Sequence, residues 1–216
     1  MTQKNATIAI IGSGNIGRIV AANLVKGNRA VILADRNPAK AADISANLGS
    51  LVTSMEVGAA ISQADIIVFA VYFQAIKELL KQYAKELEGK LLVDPSNPIA
   101  PDGKGGFTKI IDAGESAGHI LAGLLPAKAT LAKALGTLSA GSLSAAAWQK
   151  PEQVLFYATD DTSINTTVEQ LIRDSGFAPL RVGGLDQSIR IEVFGNLHEF
   201  GALGKTVTLA EAKAKL

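Results

Sequence analysis

A short apolar run that leads directly into a glycine-rich turn is the feature that most constrains this fold. Residues 7–11 are β-branched or otherwise nearly all apolar, which predicts a strand buried on both faces. Residues 12–17 read Gly-Ser-Gly-Asn-Ile-Gly, and residues 15–26 carry apolar side chains at helical spacing. A lone G-x-G-x-x-G match is weak, but this order of strand, turn and helix is the setting that a dinucleotide-binding turn requires. The chain therefore predicts a Rossmann-type unit at its start.

Each glycine of this turn has its own expected role. Gly12 permits the tight turn, Gly14 lets the backbone approach a pyrophosphate, and Gly17 lets the helix pack closely on the sheet. The unpaired N–H groups and the dipole at the helix start favour phosphate charge. The alternative is a glycine-rich turn without a ligand. We expect the pyrophosphate to be held by five residues: Gly12, Ser13, Gly14, Asn15 and Ile16.

The end of the second predicted strand carries opposing signals for the cofactor. Asp35 follows Gly17 by 18 positions, near the spacing at which a carboxylate binds the adenosine ribose of NAD. Arg36 and Lys40 could instead bind the 2′-phosphate of NADP, although the alternative for both is a solvated helix start. These three side chains are therefore candidates for reading the ribose, and NADP and NAD both stay open at this point.

The rest of the chain alternates strands and helices, which predicts a doubly wound α/β fold around a parallel sheet. Residues 53–56 (Thr-x-x-Glu) form a capping-box pattern ahead of a helix. A long final helix is predicted over residues 185–203, whereas residues 130–135 are ambiguous between helix and strand. Further strands are predicted at residues 30–35, 66–71, 91–94, 153–158 and 178–182.

The ends of two predicted strands point to the nicotinamide side of the same crevice. Ligands of doubly wound sheets lie at the carboxyl ends of the strands. Ala70 and Val71 end one strand, and Asn97 and Pro98 follow another. Asn97 could hold the carboxamide and Pro98 could pack on the ring, with ordinary turn chemistry as the alternative. The loop of residues 95–106 is long enough to predict a functional segment.

Composition excludes several classes of function. The 216 residues contain no cysteine and carry a net charge of +1, with no long run of one sign. A thiol nucleophile, a disulfide and a thiolate metal site are therefore excluded, and no nucleic-acid or anionic-membrane surface is indicated. The apolar run of residues 8–11 is too short for a signal peptide or a membrane span. We expect a cytoplasmic protein.

No catalytic acid or base stands out. His119 and His198 are expected to be structural histidines, and two distant histidines give no metal-ligand spacing. No G-x-S-x-G nucleophile motif occurs. The catalytic residue therefore stays unassigned and no metal is expected. A site without an acid or base would suit hydride transfer between a nicotinamide and another redox ring, because the cofactor carries that chemistry.

Several further motifs follow the glycine turn in a fixed order. The set comprises residues 10–17, Arg36 and Lys40, Asn97-Pro98 with residues 103–107, residues 134–138, Asp160-Asp161, Gly176-Phe177 and Gly183-Gly184-Leu185. Taken together, these motifs resemble the NADP reductases that work with the deazaflavin coenzyme F420. The resemblance implies a Rossmann domain over residues 1–135, a smaller C-terminal lobe over residues 136–216, a strand at 130–135, a homodimer, and a second ring bound between the lobes.

Three positions depart from that family pattern. Asp35 stands where the family usually has Ser or Thr, so the preference for NADP over NAD stays open. Gly136 stands where Asn or His is usual, and Ser139 where Pro is usual. Both fall near the expected second-substrate pocket, so Gly136 and Ser139 are pocket candidates together with Pro98. A flavin, a quinone or another acceptor therefore stays as an alternative to the deazaflavin.

The sequence thus predicts an NAD(P)-dependent oxidoreductase that moves a hydride between the nicotinamide and a second redox carrier or small compound. A non-catalytic NAD(P)H sensor is the alternative from another class. A hydroxyacid or imine-type dehydrogenase is a third possibility, and it would require a lysine or carboxylate near the nicotinamide.

Overall fold

The apolar run at the start of the chain forms the first strand, which lies inside an eight-stranded sheet. The structure is a computed structural model and describes residues 6–216. β1 (Ile8–Ile11) is flanked by β2 (Val31–Ala34) and the strand Ile66–Phe69, both parallel to it, and its side chains are buried by helices on the two faces of the sheet. A strand covered on both faces needs a continuous apolar run, and this is what residues 8–11 supply.

The remaining strands extend this sheet on both sides. The strands after β2 are β3 (Val52–Met55), β4 (Ile66–Phe69), β5 (Leu91–Asp94), β6 (Ile99–Pro101), β7 (Phe107–Lys109), β8 (Thr130–Lys133), β9 (Val154–Ala158) and β10 (Ala178–Gly183). The spatial order of the sheet is β10-β9-β8-β5-β4-β1-β2-β3, and β6 and β7 form a separate antiparallel hairpin.

Helices cover both faces of the sheet, so the predicted doubly wound α/β fold is confirmed. The helices are α1 (Asn15–Lys26), α2 (Pro38–Leu48), α3 (Val57–Gln63), α4 (Phe73–Gln82), α5 (Ala117–Ala122), α6 (Ala140–Ala145), α7 (Asn165–Asp174) and α8 (Leu209–Lys213). One face of the sheet packs on α1, α2, α6 and α7, and the other on α3, α4 and α5. No helix in the described part of the chain is long and apolar enough to cross a membrane.

The strand implied at residues 130–135 is confirmed for residues 130–133. β8 pairs in parallel with β5, and Leu131 and Ala132 are buried on opposite faces of the sheet. The local preference of Ala, Lys and Leu for helix is overridden here because burial between two layers favours the extended ladder.

The C-terminal part of the chain continues the same sheet in the opposite direction. β9 meets β8 antiparallel at a single pair, Lys133 with Ala158, and β10 runs parallel to β9. This part also has its own apolar cluster, which includes Phe156, Leu197 and Val207. The division into residues 1–135 and 136–216 stays a prediction.

The predicted capping box at residues 53–56 is wrong. Thr53 lies inside β3, where it pairs with Ile32 of β2, and Glu56 is itself the N-cap of α3 without a capping side-chain hydrogen bond. A Thr-x-x-Glu pattern can arise by chance in a short edge strand. Pairing of the whole strand with β2 decided its structure.

The long final helix predicted over residues 185–203 is also wrong. A 3-10 helix covers Leu185–Arg190, and turns follow it. A Cβ on Gly195 would lie 2.4 Å from the carbonyl oxygen of Arg190, and one on Gly201 would lie 1.8 Å from that of Gly195. Phe194 adopts a φ of 74°. The two glycines therefore fold this segment back on itself, which a continuous helix could not do.

Candidate functional site

Two glycines of the turn between β1 and α1 are held by close packing. Gly12 has a φ of 103°, and its N–H donates to the carbonyl oxygen of Ala34 at 2.7 Å. A Cβ on Gly12 would lie 2.4 Å from the carbonyl oxygen of Ala70, and a Cβ on Gly17 would lie 1.8 Å from that of Gly12. Only glycine fits at these two positions, as the roles predicted for the turn and for helix packing require.

The space beside Gly14, the middle glycine of the turn, is open instead. No atom lies within 4 Å of the position that a Cβ would take on Gly14. Gly14 is the N-cap of α1 at φ −70° and ψ −165°, and no side chain caps the first turn of this helix. The first N–H groups of an α-helix have no partner within the helix, and they carry the positive end of its dipole. The helix start can therefore accept an anionic group over Gly14.

Asp35 is bonded to the glycine turn. Its Oδ2 accepts from both the N–H and the hydroxyl of Ser13, each at 2.7 Å, and its Oδ1 accepts from the N–H of Asn37 at 3.0 Å. Burial works against ionisation, but the hydrogen bonds from Asn37 and Ser13 outweigh it and hold the pKa of Asp35 below its ordinary value. The carboxylate therefore fixes the turn, and its predicted contact with the adenosine ribose stays a prediction.

Arg36 and Lys40 lie beside this carboxylate with exposed side chains. Asn37 caps α2 by accepting from the N–H of Lys40 at 3.3 Å, and Pro38 occupies the first helical position. The charge of Lys40 lies near enough to Asp35 to favour its ionised form. Binding of a phosphate on the adenosine ribose by Arg36 and Lys40 stays a prediction.

Ala70 and Val71 lie directly against the glycine turn. The Cγ1 of Val71 and the carbonyl oxygen of Ala70 are among the atoms nearest to Gly12. Tyr72 follows with 86% of its surface exposed, although it stands at the carboxyl end of a buried strand. The structure therefore brings the two predicted residues together with the turn, and it adds an exposed aromatic ring that sequence reasoning did not single out.

Asn97 uses its side chain within the protein. Its Nδ2 donates to the carbonyl oxygen of Gly136 at 3.2 Å, and its Oδ1 accepts from the N–H of Val193 at 2.7 Å. Asn97 therefore joins the loop after β5 to the loop after β8 and to the C-terminal segment. Its predicted contact with the nicotinamide carboxamide stays a prediction, whereas its role in joining the three segments is visible. Pro98 follows in the same loop and is buried.

The two pocket candidates after β8 are both fixed by other segments. A Cβ on Gly136 would lie 2.2 Å from the carbonyl oxygen of Pro95, so the loop after β5 passes too close for a larger residue. The N–H of Ser139 donates to Glu199 at 2.6 Å, and the hydroxyl of Ser142 also bonds that carboxylate. Burial opposes ionisation of Glu199, but the bonds from the Ser142 and Ser139 groups keep its pKa below the ordinary value.

A cluster of charged side chains lies buried where β5 and β8 end. Lys133 donates to Asp94 at 2.7 Å and lies 3.6 Å from Glu192. Glu192 also accepts from the N–H groups of Ala117 and Gly118, each at 3.1 Å. Burial is the main cause that raises the pKa of Glu192. Sequence reasoning missed this group, and the only available signal was a charged residue at the end of each apolar strand.

The two histidines have different environments. His198 is buried, its Nε2 lies 3.1 Å from the carbonyl oxygen of Gly136, and its Nδ1 accepts from the N–H of Phe200 at 2.9 Å. This confirms the prediction of a structural histidine. His119 is exposed on α5, so its predicted structural role is wrong: the short helix buries Ala117 and Leu121 and turns His119 outward.

We expect the H198Q substitution to reduce the loss of folding stability that occurs when the pH is lowered. Burial lowers the pKa of His198 to about 4 from 6.5. Between these values the unfolded chain binds a proton that the folded chain does not, so stability falls as pH falls, by on the order of 2–3 kcal/mol. Urea unfolding at pH 7 and pH 4.5 should show a smaller loss for the variant than for wild type. Equal losses would contradict this assignment.

Within residues 6–216, no group of three or more His, Asp or Glu side chains has the arrangement of a metal site. A separate cleft of about 590 Å³ is lined by residues that include Lys150, Pro151 and Leu209, none of which belongs to the glycine turn. The site residues predicted from the sequence lie instead at the carboxyl ends of β1, β2, β4, β5 and β8.

Comparison with known proteins agrees with this geometry. The sequence profile of the NADP oxidoreductase family, coenzyme F420-dependent, matches residues 7–98. The metalloreductase STEAP3 of Rattus norvegicus is 31% identical over 185 residues, which cover 86% of this chain and 35% of the relative. The chain thus spans about a third of the length of the curated relatives that it matches.

Two solved structures show the same fold over nearly the whole chain. A hypothetical protein from Sinorhizobium meliloti is 28% identical, with a TM-score of 0.83 and coverage of 96% of this chain and 97% of the other. A protein from Arthrobacter sp. FB24, assigned by name to the F420-dependent NADP reductases, is 21% identical, with a TM-score of 0.74 and coverage of 85% and 87%. The resemblance seen in the motifs agrees with the match of residues 7–98 to the coenzyme F420-dependent NADP oxidoreductase family, and the two solved structures show the fold.

Proposed function

We propose that this protein is an NADP(H)-dependent oxidoreductase that transfers a hydride between the nicotinamide and a second redox ring. The observation that carries the proposal is the open position over Gly14 at the uncapped start of α1. Backbone N–H groups and the helix dipole are directed there, which suits the two charges of a pyrophosphate. Asn15 and Ile16 supply the neighbouring N–H groups, whereas the N–H of Ser13 already donates to Asp35.

NADP is the proposed cofactor because the cations after β2 are free to act on a 2′-phosphate. Asp35 is an anion and would repel that phosphate, but both of its carboxylate oxygens already accept hydrogen bonds, from Ser13 and Asn37. Arg36 and Lys40 are both exposed and together outnumber the single carboxylate. Arginine forms paired hydrogen bonds with phosphate oxygens, which adds to the Coulomb attraction.

The R36A/K40A double substitution is expected to weaken NADPH binding about 10- to 100-fold, or about 1.4–2.7 kcal/mol. NADH carries no 2′-phosphate, so its dissociation constant should change less than about threefold. Parallel equilibrium titrations of both cofactors measure the two effects. K26A is the matched control, because Lys26 is exposed at the opposite end of α1. A variant that loses NADPH and NADH affinity equally would refute the 2′-phosphate assignment.

A flavin-type ring is the acceptor class that we favour. Hydride transfer from NADPH gives NADP⁺ and, with one proton from water, a fully reduced flavin. The relative in rat is a metalloreductase, and metal ions take up electrons singly. A flavin accepts a hydride and can release single electrons, which links the two reactions. The absence of an exposed acid–base pair among the described site residues suits this ring-to-ring transfer.

Steady-state oxidation of NADPH tests the proposal, with flavins, deazaflavins and quinones supplied separately as acceptors. We expect turnover that is proportional to protein concentration and fastest with a flavin or deazaflavin. Tight NADPH binding without turnover on any acceptor would favour the sensor instead. Turnover only with a carbonyl or imine compound would point to the third class.

The proposal extends to a homodimer, as the family resemblance implies, and to a cytoplasmic location, as expected from the sequence. The second ring would then lie between the sheet edge and the C-terminal part, near Pro98, Gly136 and Ser139. Light scattering of the purified protein at working concentration tests the dimer, and a monomer mass would remove that part of the proposal.

A further inference from the structure

The buried charge cluster consists of Asp94, Lys133 and Glu192. Their exposed fractions are 0%, 2% and 2%. Burial of unpaired charges costs several kcal/mol per ion, so such groups persist only when paired and hydrogen-bonded. Removing one member of a buried pair leaves a charge without compensation. The cluster is therefore sensitive to the loss of its single cation.

The cluster is bonded to two separate pieces of backbone, the turn after β5 and the start of α5. Lys133 donates to the carboxylate of Asp94 at 2.7 Å and also to the carbonyl oxygen of Ser96. Asp94 accepts from the N–H of Ser96 at 2.7 Å, which closes the turn after β5. Glu192 bonds the start of α5 through two N–H groups. Lys133 thus holds the β5 turn and the C-terminal segment against β8.

These same segments carry the expected second-substrate side of the site. Asn97 follows the Ser96 turn and bonds both Gly136 and Val193. Val193 is the neighbour of Glu192, and Gly136 lies three positions after Lys133. A shift of any one segment would therefore move the others. The glycine turn is connected to none of these hydrogen bonds.

We propose that Lys133 is a positioning residue that holds the second-substrate side of the site in place by balancing the charges of Asp94 and Glu192. This inference rests on the proposed function. The cation contacts neither cofactor nor acceptor in this role. It acts through the loop after β5 and the C-terminal segment.

The role has a pH signature that a purely space-filling residue would lack. The cluster carries one net negative charge with all three groups ionised, and two when Lys133 is replaced by methionine. The two buried carboxylates would then repel each other, and protonation of Glu192 would relieve that repulsion. Burial already raises the pKa of Glu192, and removal of the Lys133 charge, which lowers this pKa in wild type, shifts it further in the same direction. His198 is the other titratable group nearby, and both its ring nitrogens are engaged.

The test compares wild type, K133M and the double variant K133M/D94N from pH 8 to pH 6. The double variant restores one net negative charge. Three quantities are measured: the dissociation constant for NADPH, the dissociation constant for a flavin by fluorescence quenching, and kcat/KM for that flavin. K150M is the matched control, because Lys150 forms an exposed ion pair with Glu152.

For K133M we expect NADPH affinity within about threefold of wild type. Its flavin affinity and kcat/KM should fall at least about 10-fold at pH 8 and recover toward wild type as the pH falls to 6. The double variant should recover most of the loss at pH 8, and K150M should match wild type throughout. If K133M does not fold, the double variant decides, because the proposal requires it to fold and to bind flavin within about threefold of wild type.

Loss of NADPH affinity parallel to flavin affinity, or a loss that does not change with pH, would overturn the positioning role. Failure of the double variant to recover would do the same. If wild type binds NADPH and flavin but does not turn over, the proposed function fails while the flavin-binding profile still decides on Lys133. If wild type binds no flavin, both proposals are overturned.

Discussion

Replacement of Gly14 by valine is expected to weaken NADPH binding at least about 100-fold, or about 2.7 kcal/mol. The branched side chain would occupy the space over the start of α1, where no atom now lies within 4 Å. The pyrophosphate could then not approach the backbone N–H groups. Stability should change by less than about 1 kcal/mol, because φ of −70° suits any residue at this N-cap.

Titration of G14V with NADPH, combined with urea unfolding, separates the two effects. G14A serves as the intermediate variant, since a single methyl group should cost less affinity than the branched side chain. Unchanged NADPH affinity in G14V would remove the glycine turn from the cofactor site. If G14V lost both NADPH affinity and stability, unfolding alone would explain the lost affinity, and the result would not support a ligand site over Gly14.

Replacement of Gly17 by alanine is expected to have the opposite signature, with unfolding as its main effect. The added Cβ would lie 1.8 Å from the carbonyl oxygen of Gly12, so α1 would have to move away from β1. Overpacking of this kind costs on the order of 3 kcal/mol or more. Alanine would regain only about 1 kcal/mol through its better helix propensity.

Urea unfolding of G17A measures this loss against a second helical glycine. G141A is the control, because the atom nearest to a Cβ on Gly141 is the Ser139 Oγ at 3.9 Å, which is ordinary contact. We expect G141A to be as stable as wild type or slightly more stable. A G17A protein with wild-type stability would show that α1 does not depend on its close approach to the turn.

The part of the site that could be predicted from the sequence is the part governed by local chemistry. The order of buried strand, glycine turn and helix identifies the fold, and Gly12 and Gly17 are glycines because neighbouring backbone leaves no room for a side chain. The place of Asp35 beside the turn could also be expected, because adjacent parallel strands bring their carboxyl ends together.

The parts that could not be predicted depend on contacts between distant segments. Asn97 could be placed at the sheet edge, but its bonds to Gly136 and Val193 span 39 and 96 positions. The ends of β5 and β8 could be expected to meet. The position of Glu192 beside them could not, because the helical pattern wrongly predicted a continuous helix for the segment that carries it. The two glycines that fold this segment back, Gly195 and Gly201, were visible in the sequence but not their close contact.

The exposure of Tyr72 also could not be predicted from the sequence. Its position after an apolar strand favours burial, but the helix α4 begins at Phe73 and takes that residue into the core instead. One residue of offset therefore decides which ring is buried and which lies at the edge of the crevice.

Equilibrium titration of the wild-type protein with NADPH and NADH in parallel, followed by nicotinamide fluorescence, tests the central claim most directly. The account predicts saturable binding of both and a lower dissociation constant for NADPH, because Arg36 and Lys40 outweigh Asp35 at the adenosine ribose. Absence of saturable binding for either cofactor would contradict the account, because the open helix start over Gly14 would then have no dinucleotide to hold.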